Sequence, residues 1–322
     1  MTSLSTAGHA GALQGDRLAG LACGMGAGAL WGLVFLAPEL VGDFGPLHLT
    51  IGRYLCYGLI SGVLVAFRWR SLMARVARRQ WLSLAWLAFA GNTLYYLLLS
   101  AAVQTGGIAM TSLVIGFLPI AVTIIGSRDS GAVPLGRLVP SLLLCAAGVV
   151  CIGWQAIAHP AGGSLGRTLL GLACAAGALA SWTAYAVGNA RALHRLEHVT
   201  PHEWNLLTGV VTGAQSMALI PLAILLGAGG HELSSWAWLG AVSMGVALLA
   251  SIYGNALWNR MSRLLPLTLV GQMILFETLF ALLYGLAWEH RLPTPLEAAA
   301  LALVVLSVLT CLKAHRPVAA TY

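Results

Sequence analysis

The chain has 322 residues, of which 59% are hydrophobic and only 8% are charged. A soluble domain carries about 25% charged residues, so this composition excludes a surface that faces water throughout. The formal net charge of +7 lies mainly in short segments between apolar runs, which is typical of membrane topology and not of nucleic-acid binding. Because the runs are continuous and lack the alternation of barrel strands, we predict an all-α, polytopic integral membrane protein in a lipid bilayer.

Ten apolar runs follow a small, polar N-terminal segment, residues 1–16, which is predicted to be a disordered tail. A helix needs about 20 apolar residues to cross a bilayer, so each run is predicted to be a transmembrane helix. The connections are too short to hold a soluble catalytic domain. In chain order the runs are Leu18–Ala37, Leu47–Phe67, Trp81–Val103, Ile108–Gly126, Leu138–Ile157, Thr168–Asn189, Glu203–Leu226, Trp236–Trp258, Leu267–Trp288 and Leu296–Lys313.

The basic residues divide unevenly between the two sides of the predicted membrane. If the N-terminus is cytoplasmic, fourteen of the 17 Lys and Arg residues fall in inside segments. Two, Arg167 and Arg291, fall outside, and Arg53 falls within a span. The positive-inside rule therefore predicts that both termini are cytoplasmic, which also requires an even number of spans.

The two halves of the chain carry similar motifs in the same order. Span three contains GNTLYY (Gly91–Tyr96) and span eight contains GNALWN (Gly254–Asn259). Span one contains GALW (Gly28–Trp31) and span six contains GALASW (Gly177–Trp182). Because five spans per half is an odd number, the second half must enter the membrane from the opposite side, which predicts two inverted five-helix repeats. The predicted units are the first repeat at 17–160, the second repeat at 161–314 and a C-terminal tail at 315–322.

These features resemble a known family of transporters. Spans arranged as five plus five, the Gly-Ala-Leu-Trp of span one and Gly116–Pro119 in span four resemble the drug/metabolite transporter superfamily of EamA type. Within it, the chain resembles the YddG-type aromatic amino acid exporters. The resemblance implies a central cavity, alternating access, and export of amino acids across a bacterial-type inner membrane. Where such proteins usually repeat the span-four proline in span nine, this chain has Leu275-Phe276-Glu277, a departure that bears on substrate range and coupling.

Two charged residues fall inside predicted spans, Arg53 in span two and Glu277 in span nine. A charge at a helix centre costs on the order of 2.5–3.5 kcal/mol, so each is expected to face a cavity or a partner. One interpretation is a site in which Arg53 meets a substrate carboxylate or Glu277 meets a substrate amino group. The other is a structural ion pair, or separate pairing with backbone carbonyls.

Four predicted spans carry aromatic and polar residues on one helix face, such as Asn92 with Tyr96 on span three. Stripes of this kind suit a pocket with apolar walls and few polar groups, whereas Trp and Tyr near span ends suit an interfacial belt. We predict that the deeper residues line a substrate cavity. The predicted substrate-binding residues are Trp31, Asn92, Tyr96, Trp182, Tyr185, Ser251, Asn255, Trp258, Gln272 and Glu277.

The sequence gives no comparable signal for other chemistry. His194, His198 and His202 are spaced four apart, but Pro201 stands between the last two, and the six cysteines lie within apolar runs. No metal, cofactor or catalytic residue is therefore predicted. An intramembrane enzyme would need a mid-span nucleophile–base pair or an acidic metal cluster. The nearer alternative is a small organic-cation exporter of the same fold, with Glu277 holding the cation against aromatic walls. The oligomeric state is left open.

Overall fold

A computed structural model describes residues 3–128, 133–158, 165–196, 198–226, 230–288 and 290–314. Within these ranges every regular element is a helix, which confirms the all-α prediction. The first half of the chain forms α1 (Ser3–Leu40), α2 (Pro46–Ala66), α3 (Trp69–Arg75), α4 (Arg78–Ala88), α5 (Tyr95–Ile115), α6 (Leu118–Gly126) and α7 (Leu135–Ala158). The second half forms α8 (Leu165–Arg195), α9 (Pro201–Leu225), α10 (Leu233–Val246), α11 (Asn255–Leu264), α12 (Leu267–Met273), α13 (Leu275–Trp288) and α14 (Pro295–Ala314).

Seven helical segments of the described chain are long and apolar enough to cross a bilayer. Two of them pass through π-helical stretches: α4 continues through Phe89–Leu94 into α5, and α10 continues through Ala247–Gly254 into α11. Two shorter apolar helices, Leu135–Gly148 and Pro295–Cys311, occupy the positions of predicted spans five and ten. The chain is thus a polytopic membrane protein, and the number of ten spans stays a prediction. The seven segments are Gly15–Leu40, Pro46–Ala66, Arg78–Ile108, Leu169–Arg195, Pro201–Leu225, Leu233–Leu264 and Leu267–Trp288.

The predicted fourth span, Ile108–Gly126, is divided in the structure. The element α5 is two helical pieces that meet at a kink in the expected connection of spans three and four, where Gly107 has the non-helical φ 81° and ψ 166°, a backbone conformation that favours glycine. A separate helix, α6, begins at Leu118 with Pro119 in its first turn. Proline is tolerated there because first-turn N–H groups have no partner within the helix. Pro119 therefore marks the start of a helix after a break.

Helices from the two halves pack in pairs, with α2 on α9, α5 on α8, α7 on α14, and α1 on α13. The crossing of α2 and α9 is closest at Gly58 and Gly213, where a Cβ on Gly58 would lie 2.6 Å from the Cα of Gly213. Each glycine stands twelve residues after the proline that begins its helix, Pro46 or Pro201. The two halves therefore touch at equivalent positions.

Small residues also bring α1 close to α13. A Cβ on Gly28 would lie 2.9 Å from the backbone nitrogen of Glu277, and a Cβ on Gly32 would lie 2.8 Å from the backbone nitrogen of Ala281. In lipid, where apolar burial does not drive association, such close packing of small residues stabilises helix pairs. This contact fixes the start of α13, and with it Glu277, against α1.

The described residues cover the predicted units only in part. The helix α1 begins at Ser3, within the predicted N-terminal tail at 1–16, and the disorder of that tail stays a prediction. The predicted junction of the two repeats, at residues 160 and 161, and the predicted tail at 315–322 lie outside the described residues.

Candidate functional site

A narrow cavity, called here the central cavity, lies between helices of both halves. Its walls come from α1, α2, the π-helical stretch before α5 and α5 itself in the first half, and from α8, α11 and α13 in the second. Its free volume is about 20 Å³, which is room for one water-sized molecule. The lining residues are Trp31, Val34, Arg53, Tyr54, Gly91, Asn92, Tyr95, Trp182, Tyr185, Asn255 and Glu277.

Three tryptophans from α1, α8 and α11 pack together beside the central cavity. The ring centroid of Trp31 lies 5.6 Å from that of Trp182 and 5.0 Å from that of Trp258. The centroids of Trp182 and Trp258 are 5.2 Å apart. Aromatic pairs at these separations contribute about 0.5–1.5 kcal/mol each beyond their buried area. The cluster joins one helix of the first half to two of the second.

The glycine of each Gly-Asn motif packs closely against an aromatic ring from the other half of the chain. A Cβ on Gly91 would overlap the ring of Tyr185, and a Cβ on Gly254 would lie 2.7 Å from Nε1 of Trp31. Both glycines belong to the π-helical stretches, and Nε1 of Trp31 donates a hydrogen bond to the carbonyl of Ala250 in one of them (3.0 Å). Short π-helical stretches are frequent at functional sites. Here they shape the aromatic walls.

Arg53 is 5% exposed and is held by groups from both halves of the chain. Its Nε donates a hydrogen bond to Oγ of Ser251 (3.1 Å). Its guanidinium carbon lies 4.4 Å from the ring centroid of Tyr96 and 5.0 Å from that of Tyr54. Cation–π contacts of this kind stabilise a desolvated cation by about 2 kcal/mol. Because Ser251 and Tyr96 are hydrogen-bond partners for only part of its five N–H donors, the guanidinium keeps donors for a ligand.

Glu277 is 3% exposed and is the third residue of α13, which begins just after a break at Ile274. Its Oε1 lies 3.5 Å from the hydroxyl of Tyr95, and its Oε2 is buried without a hydrogen-bond partner among the described residues. A helix N-terminus favours a negative charge at this position. Within the described chain no ion pair joins Glu277 to Arg53. The two side chains thus line the same cavity and attract each other electrostatically without a direct contact.

Nine of the ten predicted site residues lie in or directly behind the wall of the central cavity. Tyr96 lies beside the guanidinium of Arg53, Ser251 accepts its hydrogen bond, and Trp258 packs on the other two tryptophans. The remaining six line the cavity itself, namely Trp31, Asn92, Trp182, Tyr185, Asn255 and Glu277.

Gln272 is the predicted site residue that lies elsewhere. Its Nε2 donates to Oγ1 of Thr123, and its Oε1 accepts hydrogen bonds from Oγ of Ser141 and Oγ of Ser307, all at 3.3 Å. This polar cluster ties α12 to α6, α7 and α14. Gln272 therefore joins helices in a separate place and does not line the cavity.

Sequence reasoning did not select five of the lining residues. Two of them, Gly91 and Tyr95, belong to the repeated GNTLYY motif, so the repeat could have indicated them. Arg53 was one of the two mid-span charges, and Tyr54 is its neighbour. Val34 carries no signal, because one valine in an apolar helix is indistinguishable from the others. The five are Val34, Arg53, Tyr54, Gly91 and Tyr95.

The two halves also meet on both predicted sides of the membrane. On the predicted cytoplasmic side, Nη2 of Arg75 lies 2.8 Å from Oε1 of Glu203, which joins α3 to α9. On the predicted outer side, the ring of Phe44 lies 4.2 Å from that of His231 and 4.9 Å from that of Trp236. These contacts join the two halves on both predicted sides of the membrane.

The histidines with helical spacing do not share a helix. The helix α8 ends at Arg195 and α9 begins at Pro201, so His194 lies on one helix and His202 on the next. In the described ranges, no group of three or more His, Cys, Asp or Glu side chains is placed to hold a metal ion.

Known proteins share both sequence and fold with this chain. Residues 18–154 match the EamA-like transporter family. The chain is 28% identical over 311 residues to Inner membrane protein YtfF of Escherichia coli (strain K12), and the match covers 89% of this chain and 93% of that protein. A solved crystal structure with 20% sequence identity has a TM-score of 0.70 and covers 94% of this chain and all of its own. That likeness concerns the fold alone.

Proposed function

We propose that this chain, which carries an EamA-like transporter domain over residues 18–154, is a secondary transporter that exports amino acids from the cytoplasm. The observation that carries the proposal is the central cavity, where tryptophan and tyrosine rings of both halves surround a buried guanidinium, that of Arg53, and a buried carboxyl group, that of Glu277. A neutral amino acid presents the complementary set of a carboxylate, an ammonium group and an apolar or aromatic side chain. The proposed substrates are aromatic and other neutral amino acids, as for the YddG-type exporters that the sequence resembles.

The proposed architecture is a pair of inverted five-helix repeats. Three features support it. The contact of α2 with α9 joins equivalent glycines, Gly58 and Gly213. The two Gly-Asn motifs both lie at π-helical stretches and both accept a ring from the other half. Helices are also broken in both predicted spans four and nine, before Leu118 and Leu275. Discontinuous helices at corresponding positions of two halves are typical of transporter substrate sites.

The proposed mechanism is alternating access. The central cavity has room for about one water molecule, so an amino acid can enter only if the halves separate at one end. We place the cytoplasmic gate at the ion pair of Arg75 with Glu203 and the outer gate at the contact of Phe44 with His231, because each contact joins the two halves on one predicted side of the membrane. Opening one end while the other persists exposes the cavity to one side of the membrane at a time.

The proposed location is the inner membrane, with both termini in the cytoplasm. The relative YtfF is named as an inner membrane protein, and seven helical segments of the described chain are long and apolar enough to cross a membrane. The excess of Lys and Arg in the predicted inside segments supports the orientation.

An organic-cation exporter of the same fold is the second candidate. It is favoured by the free oxygen of Glu277 beside the tryptophan rings, which could hold a desolvated cation. Arg53 argues against it, because a guanidinium in the same cavity repels a ligand that carries only positive charge. An enzyme is a weaker proposal still, because the matched family is one of transporters.

A competition assay separates the two candidates. Proteoliposomes with purified protein are preloaded with unlabelled phenylalanine, and uptake of labelled phenylalanine is measured with neutral amino acids or quaternary ammonium compounds outside. We expect neutral amino acids to compete and quaternary ammonium compounds to leave the uptake unchanged. Uptake of labelled quaternary ammonium without any uptake of neutral amino acids would support the cation exporter instead.

A further inference from the structure

We infer that Arg53 and Glu277 are the two poles of a binding site for a zwitterion: Arg53 binds the carboxylate, Glu277 binds the ammonium group, and a ligand must carry both charges to be transported. This inference rests on the proposed function and deepens it, because it names the feature by which the cavity selects its substrate.

Neither Arg53 nor Glu277 has an oppositely charged group in direct contact among the described residues. Arg53 contacts the hydroxyl of Ser251 and the rings and one hydroxyl of Tyr54 and Tyr96, all of them neutral groups, and Oε2 of Glu277 has no hydrogen-bond partner among the described residues. Burying a charge is costly unless an opposite charge or hydrogen bonds compensate it. Two opposite charges in one small cavity could compensate each other directly, yet within the described chain they form no ion pair. The arrangement thus suits a ligand that supplies both counter-charges.

The second step is that each pole is positioned by the opposite half of the chain. Arg53 belongs to the first half and donates to Ser251 of the second. Glu277 belongs to the second half and accepts from Tyr95 of the first. These contacts orient both side chains towards the space between the halves. A planar guanidinium binds a carboxylate through two parallel hydrogen bonds, and a carboxylate is a strong acceptor for an ammonium group.

The third step concerns transport. A zwitterion held at both poles connects α2 of the first half to α13 of the second, since Arg53 and Glu277 lie on those helices. A molecule with only a carboxylate or only an ammonium group connects to one half. Because a ligand shifts a conformational equilibrium only by its differential affinity for the two states, only the ligand that reaches both halves favours their closure. We therefore expect single-charge analogues to bind without being carried.

The experiment compares three probes that share one aromatic ring: phenylalanine, 3-phenylpropionate, which lacks the amino group, and phenethylamine, which lacks the carboxylate. Their affinities are measured by competition with labelled phenylalanine in proteoliposomes that contain the wild type, Arg53→Gln or Glu277→Gln. The control variant is Glu297→Gln, which removes a carboxylate from an ion pair with Arg291 that does not line the cavity.

We expect Arg53→Gln to lower the affinity for phenylalanine and for 3-phenylpropionate at least tenfold. The affinity for phenethylamine should change less than twofold. We expect Glu277→Gln to lower the affinity for phenylalanine and for phenethylamine at least tenfold. The affinity for 3-phenylpropionate should stay unchanged. Removing one partner of a desolvated charge pair commonly has effects of this size. Glu297→Gln should leave all three affinities unchanged.

The inference is overturned if Arg53→Gln or Glu277→Gln lowers the affinity for all three probes alike, or for none of them. If Arg53→Gln does not fold, the wild type alone still tests the inference. Phenylalanine is then expected to bind at least tenfold more tightly than either analogue, and only phenylalanine is expected to accumulate in the proteoliposomes. Equal affinities for the three probes overturn the zwitterion site while leaving amino acid export standing. Absence of transport of any neutral amino acid by the wild type overturns the proposed function itself.

Discussion

At the scale of single residues, two buried carboxylates have opposite surroundings. One oxygen of Glu277 has no hydrogen-bond partner among the described residues. Glu203, by contrast, accepts hydrogen bonds from Arg75 and from both the backbone and the hydroxyl of Thr200. An unsatisfied buried charge destabilises a fold, whereas a satisfied one is costly to disturb. The two residues should therefore respond differently to the same substitution.

We predict that Glu277→Gln unfolds at the same or a higher temperature than the wild type in the absence of substrate. We predict that Glu203→Gln loses about 1 kcal/mol of stability, a modest loss because the side chain of Arg75 is 35% exposed and water can hydrate it. Thermal unfolding of both variants in the same detergent measures the difference. A larger loss for Glu277→Gln than for Glu203→Gln would mean that Glu277 has a stabilising partner and that this account of its surroundings is wrong.

The site residues could be predicted from the sequence where helical spacing alone decides which face of a helix they occupy. Helical spacing placed Asn92, Trp182 and Asn255 on faces that do line the cavity. Gln272 was also predicted to line the cavity, but its partners Thr123, Ser141 and Ser307 are distant in sequence and could not be foreseen. A helix face is visible in the sequence, whereas the neighbour that it meets depends on tertiary packing.

At the scale of the helices, the pair α2 and α9 depends on glycine at one place. A Cβ on Gly58 would meet the Cα of Gly213 at 2.6 Å, while a Cβ on Gly62, one turn further along the same helix, would meet nothing within 4 Å. We predict that Gly58→Ala costs about 1–3 kcal/mol, because α2 and α9 must move apart. Gly62→Ala is the matched control and should be neutral or slightly stabilising, since alanine favours a helix.

Thermal unfolding of Gly58→Ala and Gly62→Ala in detergent provides the comparison. Equal unfolding temperatures for the two variants would show that α2 and α9 are not closely packed at Gly58, and would remove one support of the proposed repeat.

Helix positions were predictable from hydrophobicity, but helix breaks were not. The runs of apolar residues located every described helix that is long and apolar enough to cross a membrane. The sequence predicted one continuous span over Ile108–Gly126, whereas α5 ends at Ile115 and a new helix begins at Leu118. In span nine the break at Ile274 follows no proline at all. Such breaks depend on neighbouring helices that satisfy the free backbone groups, and a one-dimensional pattern does not contain them.

At the scale of the whole molecule, the account predicts a definite orientation. A reporter that is active only in the cytoplasm, fused after Tyr322, should be active, because fourteen of the 17 Lys and Arg residues lie in the predicted inside segments. A reporter that requires the periplasm should be inactive at the same position. The reverse result would contradict both the orientation and the proposed number of spans.

The closed state of the cavity could not be read from the sequence. Aromatic stripes predicted a pocket for a substrate, but the three tryptophans pack against one another and leave about 20 Å³ free. Which conformation a transporter adopts depends on a small balance between contacts at its two ends, here the pair of Arg75 with Glu203 and that of Phe44 with His231. A single sequence does not reveal that balance.

The measurement that tests the central claim most directly is the release of labelled phenylalanine or leucine from preloaded proteoliposomes, with and without a pH gradient. The account predicts that wild-type protein releases both amino acids down their gradients, and that empty liposomes and liposomes with Arg53→Gln release them at least tenfold more slowly. A comparison of the two pH conditions then decides whether release is coupled to protons. Release of neutral amino acids no faster than from empty liposomes, under both conditions, would contradict the account.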